Sequence, residues 1–317
     1  MSEGIRLQNR DIELLIFLGK YKIISLDNTR YIYETVTYQE KRMVVLAKHN
    51  YIRRLRHRYI TLGIKGREYL LENGFEIRNH CRNENNVERL NVISDIASSL
   101  IQDNLNFIPS WNMKKEDEPT THSRRYIGKL EYNNQEEFLV YAIYDGKDDK
   151  YIKSIYYDIR KENGYANAMI FTKDIEKIIL HEKGFYFGNR YTVLVPYNDY
   201  GKFLLRNNYE IRRSIYLRID EMYKVELSDF KLADLKLYDN NYVVIMPLIN
   251  METLAKLYYY YNESEESKNI YIFGLEEYEN VIKQYLPKCE YKGLTKEKID
   301  ELLLKYKESE NEEDETL

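Results

Sequence analysis

One pattern recurs four times between residues 168 and 286: a short apolar run, a breaker or capping residue, and an amphipathic segment. The copies are AMIFTKD–IEKIILHE, YTVLVPYN–DYGKFLLRN, YVVIMPLI–NMETLAKLYYYY and IYIFGLE–EYENVIKQYL. Short apolar runs bounded by breakers are typical of buried strands, and the segments after them have the apolar spacing of helices. Because alternating strands and helices pack as layers, the pattern predicts an α/β domain with a mostly parallel or mixed sheet.

The same domain begins earlier, at a predicted hairpin. The segments YIGKLEYN and EEFLVYAIYD are two strands joined by the turn signal Asn133–Asn134, and KYIKSIYYDIRKENG is a helix that ends at Gly164. A last amphipathic segment, TKEKIDELLLKYK, precedes the acidic run ESENEEDETL, whose composition favours disorder. We therefore predict an α/β domain over residues 124–307 and a disordered acidic tail over residues 308–317.

Three helices are predicted near the N-terminus. The segment NRDIELLIFLGKY has the stripe Ile12, Leu15, Ile16 and Gly19, and SLDNTRYIYE starts at the N-cap residue Ser25.

The third helix, TYQEKRMVVLAKHN, opens with a capping box of Thr37 and Glu40. It buries Met43 and Leu46, and Asn50 can end it in the left-handed conformation.

A hairpin is predicted next. The segment YIRRLRHRYITL interleaves apolar residues with arginines, which indicates two short strands that turn near Arg56–Arg58. KGREYLLENG then predicts a short helix that ends at Gly74. This order of helices and strands predicts a winged helix-turn-helix over residues 1–82. The helix VERLNVISDIASSLIQD and a polar linker follow over residues 83–123.

Charge is distributed unevenly along the chain, whose formal net charge is −4. Residues 1–82 contain 16 Lys/Arg and 9 Asp/Glu, whereas the remainder contains 32 and 43. Between Lys41 and Arg67 there are nine basic residues and no acidic one. Such asymmetry indicates nucleic acid as the partner of the basic part. The alternative is a solvated basic face without a DNA partner.

Recognition helices place their N-terminal side chains at base edges in the major groove. We therefore expect Gln39 to bind adenine, and Arg42 to bind guanine or a phosphate. The arginines of the hairpin would meet phosphates or a narrow minor groove. The candidate DNA-binding residues are Thr37, Tyr38, Gln39, Lys41, Arg42, Lys48, Arg53, Arg54, Arg56, His57, Arg58 and Lys65.

No enzyme motif is evident. The five histidines (His49, His57, His80, His122 and His181) form neither H-x-H nor H-E-x-x-H, and Cys81 and Cys289 form no C-x-x-C. There is no P-loop, G-x-G-x-x-G or G-x-S-x-G, no run of 18 apolar residues, and no secretory pattern at the N-terminus. These features predict a cytoplasmic, non-enzymatic protein without a metal or cofactor.

The basic part resembles the replication-relaxation proteins of plasmids, phages and conjugative elements. They share a pattern Arg-Leu-x-x-Leu-x-x-x-Gly-Leu/Ile, and a pattern Leu-Thr-x-x-Gly-x-x-x-Leu after the wing. The resemblance covers about residues 8–102 and includes the helix VERLNVISDIASSL. The first pattern corresponds to Arg42, Met43, Leu46, Asn50 and Ile52, with asparagine for glycine, and the second to Leu62, Gly63, Gly66 and Leu70, with Gly63 for threonine.

The resemblance implies a restriction-endonuclease-like α/β core in the second domain. A working nuclease needs an Asp and then Glu-x-Lys on the next strand to hold a divalent metal. The strand Phe138–Tyr144 contains no acid, and Asp145 followed by Lys147 is the nearest remnant. The implied scaffold is therefore a degenerate one, without nuclease chemistry.

Together, the residues and the resemblance favour a two-domain protein of a mobile element. The basic domain would bind double-stranded DNA in plasmid or phage replication or DNA processing. The α/β domain would bind a protein partner or a second copy of the chain. Neither domain is expected to bind a membrane. The alternatives are a transcriptional regulator, a non-enzymatic conjugation factor and a metal-dependent nuclease.

Overall fold

The computed structural model describes residues 5–33, 35–77, 86–100, 105–113, 125–132, 136–161, 167–180, 191–264 and 268–314. The chain divides into two compact units, an N-terminal unit (Met1–Ala142) and a C-terminal unit (Ile143–Leu317). Both combine helices with sheet, so the predicted mixed α+β class is confirmed for the described residues. The division falls after residue 142 rather than at 124, because the hairpin predicted to open the second domain pairs with a strand of the N-terminal unit.

The N-terminal unit begins with helices around a small sheet. Its first elements are α1 (Asn9–Tyr21), β1 (Ile23–Ser25), a 3-10 helix (Asp27–Tyr31), α2 (Val36–Lys48), β2 (Ile52–Leu55), β3 (Tyr59–Leu62), α3 (Ile64–Glu72) and α4 (Val87–Ser99). The strand order is β1-β3-β2, and both pairings are antiparallel. Because the last residue of β2 pairs with the first of β3, the hairpin turns at residues 56–58, as the sequence predicts.

The first two helices differ in part from the prediction. α1 buries Leu14, Leu15 and Leu18, whereas Ile12 and Ile16 of the predicted stripe are only half-buried. The segment SLDNTRYIYE forms only a 3-10 helix, since its first residue belongs to β1 and pairs with β3. Helical spacing alone does not reveal that pairing.

For α2, the prediction for the N-terminal end is wrong and the prediction for the C-terminal end is confirmed. The helix begins at Val36 with Thr35 as its N-cap, so Thr37 lies inside the helix and the predicted capping box is wrong. The predicted C-terminal end is confirmed, because Asn50 has a φ of 63°. The Tyr51 N–H donates to the Leu46 carbonyl at 3.0 Å, the bond that commonly closes a helix ending in a left-handed residue.

Helix α4 packs on the sheet and is not a free connector between domains. The apolar stripe that the sequence predicts, Leu90, Ile93, Ile96, Ala97 and Leu100, is entirely buried. The helix contacts α1, β1 and the 3-10 helix. It therefore belongs to the core of the N-terminal unit.

The predicted linker contains a strand. β4 (Asn106–Pro109) pairs antiparallel with β5 (Gly128–Tyr132), and β5 pairs antiparallel with β6 (Glu136–Ile143). Phe107 of β4 is buried, and its carbonyl oxygen accepts a hydrogen bond from Tyr21 Oη at 2.7 Å. A strand of four residues between polar segments has no periodic signal, and the turn Asn133–Asn134 lies outside the described residues.

The C-terminal unit contains all four predicted strand–helix pairs. Its elements are α5 (Asp149–Lys161), β7 (Asn167–Thr172), α6 (Ile175–Leu180), β8 (Thr192–Pro196), α7 (Asp199–Arg206), α8 (Asn208–Tyr223), β9 (Val225–Leu227), β10 (Leu235–Leu237), β11 (Tyr242–Ile245), β12 (Ile249–Asn250), α9 (Met251–Glu263), β13 (Ile270–Leu275), α10 (Glu279–Tyr285), β14 (Glu290–Leu294) and α11 (Lys296–Asp314). β7 and β8 are parallel, and β12 is antiparallel to β8. A five-stranded mixed sheet has the order β14-β13-β11-β10-β9.

Three features of this unit were not predicted. The run YVVIMPLI is two strands in different sheets, since β11 pairs with β13 and β12 with β8. Helix α8 could have been found from Ile211, Ile215 and Ile219, which are spaced by four and buried. Helix α11 continues to Asp314, so the prediction of a disordered tail from residue 308 is wrong as far as residue 314.

Candidate nucleic-acid interface

A buried carboxylate positions helix α2. Asp11 has no exposed surface and accepts hydrogen bonds from Arg42 Nε (3.1 Å), from Arg42 Nη2, from Tyr33 Oη (2.8 Å) and from the Gln8 N–H (2.8 Å). The hydrogen bond to Asp11 is the main reason that the pKa of Arg42 is raised. Burial, followed by the bond to Asp11, raises the pKa of Tyr33. Arg42 is thus held inside the N-terminal unit, and its predicted contact with guanine or phosphate is corrected.

Gln39 also points inward. Its side chain is buried, and Nε2 donates to the carbonyl oxygen of Leu26 at 2.7 Å. The Leu26 N–H in turn donates to the Arg58 carbonyl at 2.9 Å. The predicted contact of Gln39 with adenine is therefore corrected: its amide connects α2 to the backbone of the hairpin through Leu26.

The exposed face of α2 carries a different set of side chains. Thr37, Lys41 and Lys48 are exposed, as the prediction requires. Val44, which the sequence prediction omitted, is 58% exposed. A signal for it was present, because Val44 comes directly after the buried Met43 and faces away from the stripe that Met43 begins. Tyr38 is partly exposed, with its ring centroid 6.0 Å from that of Tyr33.

The hairpin has an apolar side and a basic side. Ile52 and Leu55 of β2 are buried, whereas Arg53 and Arg54 between them are exposed. Leu55 packs in a cluster with Ile23 of β1 and with Val87 and Leu90 of α4, against which Trp111 also packs. Burial of Leu55 on this cluster holds the turn end of the hairpin in place.

The hairpin tip, residues 56–58, is fully exposed and conformationally unusual. Arg56 and His57 have φ values of 48° and 59°, in the left-handed region. For a residue with a side chain this conformation costs roughly 1–2 kcal/mol, and hairpin turns that need it usually contain asparagine and glycine. Two large basic side chains therefore occupy positions where local backbone energetics favours others.

Lys65 is the second residue of α3, and its side chain is exposed. Its N–H donates to the Asn50 carbonyl at 3.0 Å, which joins the N-terminus of α3 to the end of α2. A Cβ at Gly63 would lie 2.2 Å from the same Asn50 oxygen. A residue with a side chain at this position would therefore force the Asn50 carbonyl to move.

Asp145 and Lys147, which were predicted as the nearest remnant of a nuclease motif, make ordinary surface contacts. Asp145 Oδ2 is 2.6 Å from Lys173 Nζ, and the Lys147 ammonium lies 4.4 Å from the ring centroid of Tyr144. Within the described ranges, no three His, Cys, Asp or Glu side chains come together as a metal site would require. His80, Cys81, His122 and His181 lie outside those ranges.

Comparison of the chain with family models, curated proteins and solved structures found no match. None of the helices that the structure describes combines the length and the hydropathy needed to span a membrane.

Proposed function

We propose that the N-terminal unit binds duplex DNA as a winged helix-turn-helix, with α2 as the recognition helix and the β2–β3 hairpin as the wing. The observation that carries the proposal is the exposure of basic side chains on these neighbouring elements, in a sequence stretch without an acid. These exposed residues are Lys41, Lys48, Arg53, Arg54, Arg56, Arg58 and Lys65.

The physical argument is electrostatic. Positive side chains concentrated in one stretch of sequence and exposed to solvent repel each other, and protein surfaces without a charged partner usually mix both signs. DNA phosphates remove that repulsion, and the release of condensed counterions adds free energy of binding. The unfavourable backbone conformation of Arg56 and His57 supports the same proposal, since strain of this kind often occurs where function requires it.

The biological role follows from the resemblance to replication-relaxation proteins. We propose action in plasmid or phage replication or in DNA processing, without an enzymatic step. The C-terminal unit would then bind a protein partner or a second copy of the chain.

Binding is tested by fluorescence anisotropy with a labelled random-sequence duplex of about 20 base pairs, two turns of B-DNA. The full chain should bind with an affinity that falls linearly with the logarithm of salt concentration. Replacing Arg53, Arg54, Arg56 and Arg58 with alanine should weaken binding and flatten that dependence. The control is Arg213→Ala, an exposed arginine of the C-terminal unit. Equal binding by the fourfold variant would exclude the hairpin as a wing.

The role is tested by footprinting on DNA that flanks the native gene. Protection of iterated repeats would support replication, whereas a protected palindrome upstream of the gene would favour the transcriptional regulator. Nicking of supercoiled plasmid in the presence of magnesium would overturn the non-enzymatic part of the proposal.

A further inference from the structure

The exposed face of α2 combines methyl groups with charge. Thr37, Val44 and Lys48 are spaced by seven and four residues, and at about 100° per residue they project within about 40° of one direction. All three are exposed, with Val44 at 58%. Val44 therefore lies between Thr37 and Lys48 along the face that α2 would turn toward DNA as a recognition helix.

The usual forked readers of bases are absent from that face. Glutamine recognises adenine, and arginine recognises guanine, through two hydrogen bonds each. In α2 these side chains are Gln39 and Arg42, and they are bonded to Leu26 and Asp11 instead. Gln39 and Arg42 are therefore engaged within the N-terminal unit, which leaves Val44, Thr37 and the exposed lysines of α2 to face the bases.

We propose that α2 recognises thymine through its C5-methyl group, with Val44 as the central contact, so that the preferred duplex is rich in A·T pairs. This inference rests on the proposed DNA binding. Thymine is the one base with a methyl group in the major groove, and apolar side chains bind it by excluding water from both surfaces. The Thr37 methyl group, about two helical turns toward the N-terminus, provides a second apolar contact.

The charged neighbours are compatible with this arrangement. Lys41 and Lys48 lie about one turn before and one turn after Val44, on the same side of it, and are exposed, so their ammonium groups can reach phosphates along one side of the groove. Glu40 is exposed on the other flank. Its carboxylate only accepts hydrogen bonds, so among base edges it pairs with the amino groups of cytosine or adenine.

The test uses two labelled duplexes of alternating A and T, about 20 base pairs long. The second contains deoxyuridine in place of every thymidine, which removes only the C5-methyl group. Base pairing and the minor-groove acceptors are unchanged, so contacts of the hairpin in the minor groove do not alter the ratio. The full chain should bind the thymidine duplex more tightly, by about fourfold for each methyl group that it covers.

Two variants assign the effect to the helix face. Val44→Ala should bring the ratio of the two affinities toward one, because it removes the apolar contact from an exposed site without opening a cavity. Lys41→Ala is the control and should weaken binding to both duplexes equally, which leaves the ratio as it is.

The outcomes separate this inference from the proposed function. Equal, salt-dependent binding of the two duplexes would overturn thymine recognition and leave DNA binding intact. Full discrimination retained in Val44→Ala would overturn the assignment of Val44. Failure to bind the random, thymidine and deoxyuridine duplexes alike would overturn the proposed function itself.

Discussion

The Asp11 carboxylate and the Arg42 guanidinium form an ion pair that joins α1 to α2 across the interior of the N-terminal unit. The carboxylate is fully buried, and Tyr33 Oη and the Gln8 N–H satisfy its remaining lone pairs. A buried charge with all its partners resists separation, because removal of one partner leaves the other desolvated and unpaired. The basic residue of α2 that seemed best suited to DNA is therefore a positioning residue for the helix that carries the others.

We expect Arg42→Met to destabilise the N-terminal unit by about 3–5 kcal/mol, because it leaves the Asp11 carboxylate buried without its cation. The double variant Asp11→Leu/Arg42→Met should be less destabilised than the single one. Urea unfolding followed by the fluorescence of Trp111, the single tryptophan, measures both. Lys41→Met, an equal loss of charge on the exposed face, is the control and should change the free energy of unfolding little. A single variant as stable as the wild type would refute the role of this pair.

Replacing Arg56 and His57 with asparagine and glycine should raise stability and weaken DNA binding together. Asparagine and glycine accept the left-handed conformation at less cost, so we expect a gain of about 1–2 kcal/mol. The variant loses an arginine and a histidine at the tip, which should lower the affinity for DNA and its dependence on salt concentration. Lys224→Gly, at another positive-φ position (φ 51°) in the C-terminal unit, should stabilise without affecting binding. Tighter DNA binding by the tip variant would contradict the proposal.

Gly63→Ala should destabilise the N-terminal unit by about 1–3 kcal/mol, the usual cost of overpacking. The new Cβ would lie 2.2 Å from the Asn50 carbonyl oxygen, which must move and thereby shift the junction of α2 and α3. The matched control is Gly74→Ala, where φ is 80° but no atom lies within 4 Å of the new Cβ. That variant should cost only the left-handed backbone energy. If Gly63→Ala were as stable as the wild type, the close approach at Gly63 would be of no consequence.

The Cys289 thiol should be poorly reactive at neutral pH. Burial raises its pKa to about 11, so between pH 7 and 9 it contains about a hundredfold less thiolate than an ordinary cysteine. In a Cys81→Ser background, alkylation by iodoacetamide should be slow in the native protein and fast in urea. The native rate should continue to rise with pH above 9, because the raised pKa delays ionisation. A rate that levels off near pH 9 would contradict this expectation.

Local pattern alone was sufficient for most of the secondary structure. The hairpin at residues 52–62 and the four strand–helix pairs have periodicities that one strand or helix produces by itself. The left-handed end of α2 at Asn50 was likewise predictable, since asparagine adopts that conformation readily. Charge counted along the chain also identified the basic part without any knowledge of the fold.

Tertiary structure alone decided which side chains of α2 face outward and which strands pair. Gln39 and Arg42 have side chains that can recognise bases, yet both are bonded inside the unit. Arg42 pairs with the buried Asp11 carboxylate, 31 residues away along the chain, and Gln39 donates to the Leu26 carbonyl. The strand β4 and the division of YVVIMPLI between two sheets likewise depend on partners distant in sequence. Hydrogen-bond capacity and apolarity are properties of a residue, whereas the partner that satisfies them is a property of the fold. The sequence therefore determined the elements and the basic surface, and packing selected the residues, Val44 among them, that this surface presents.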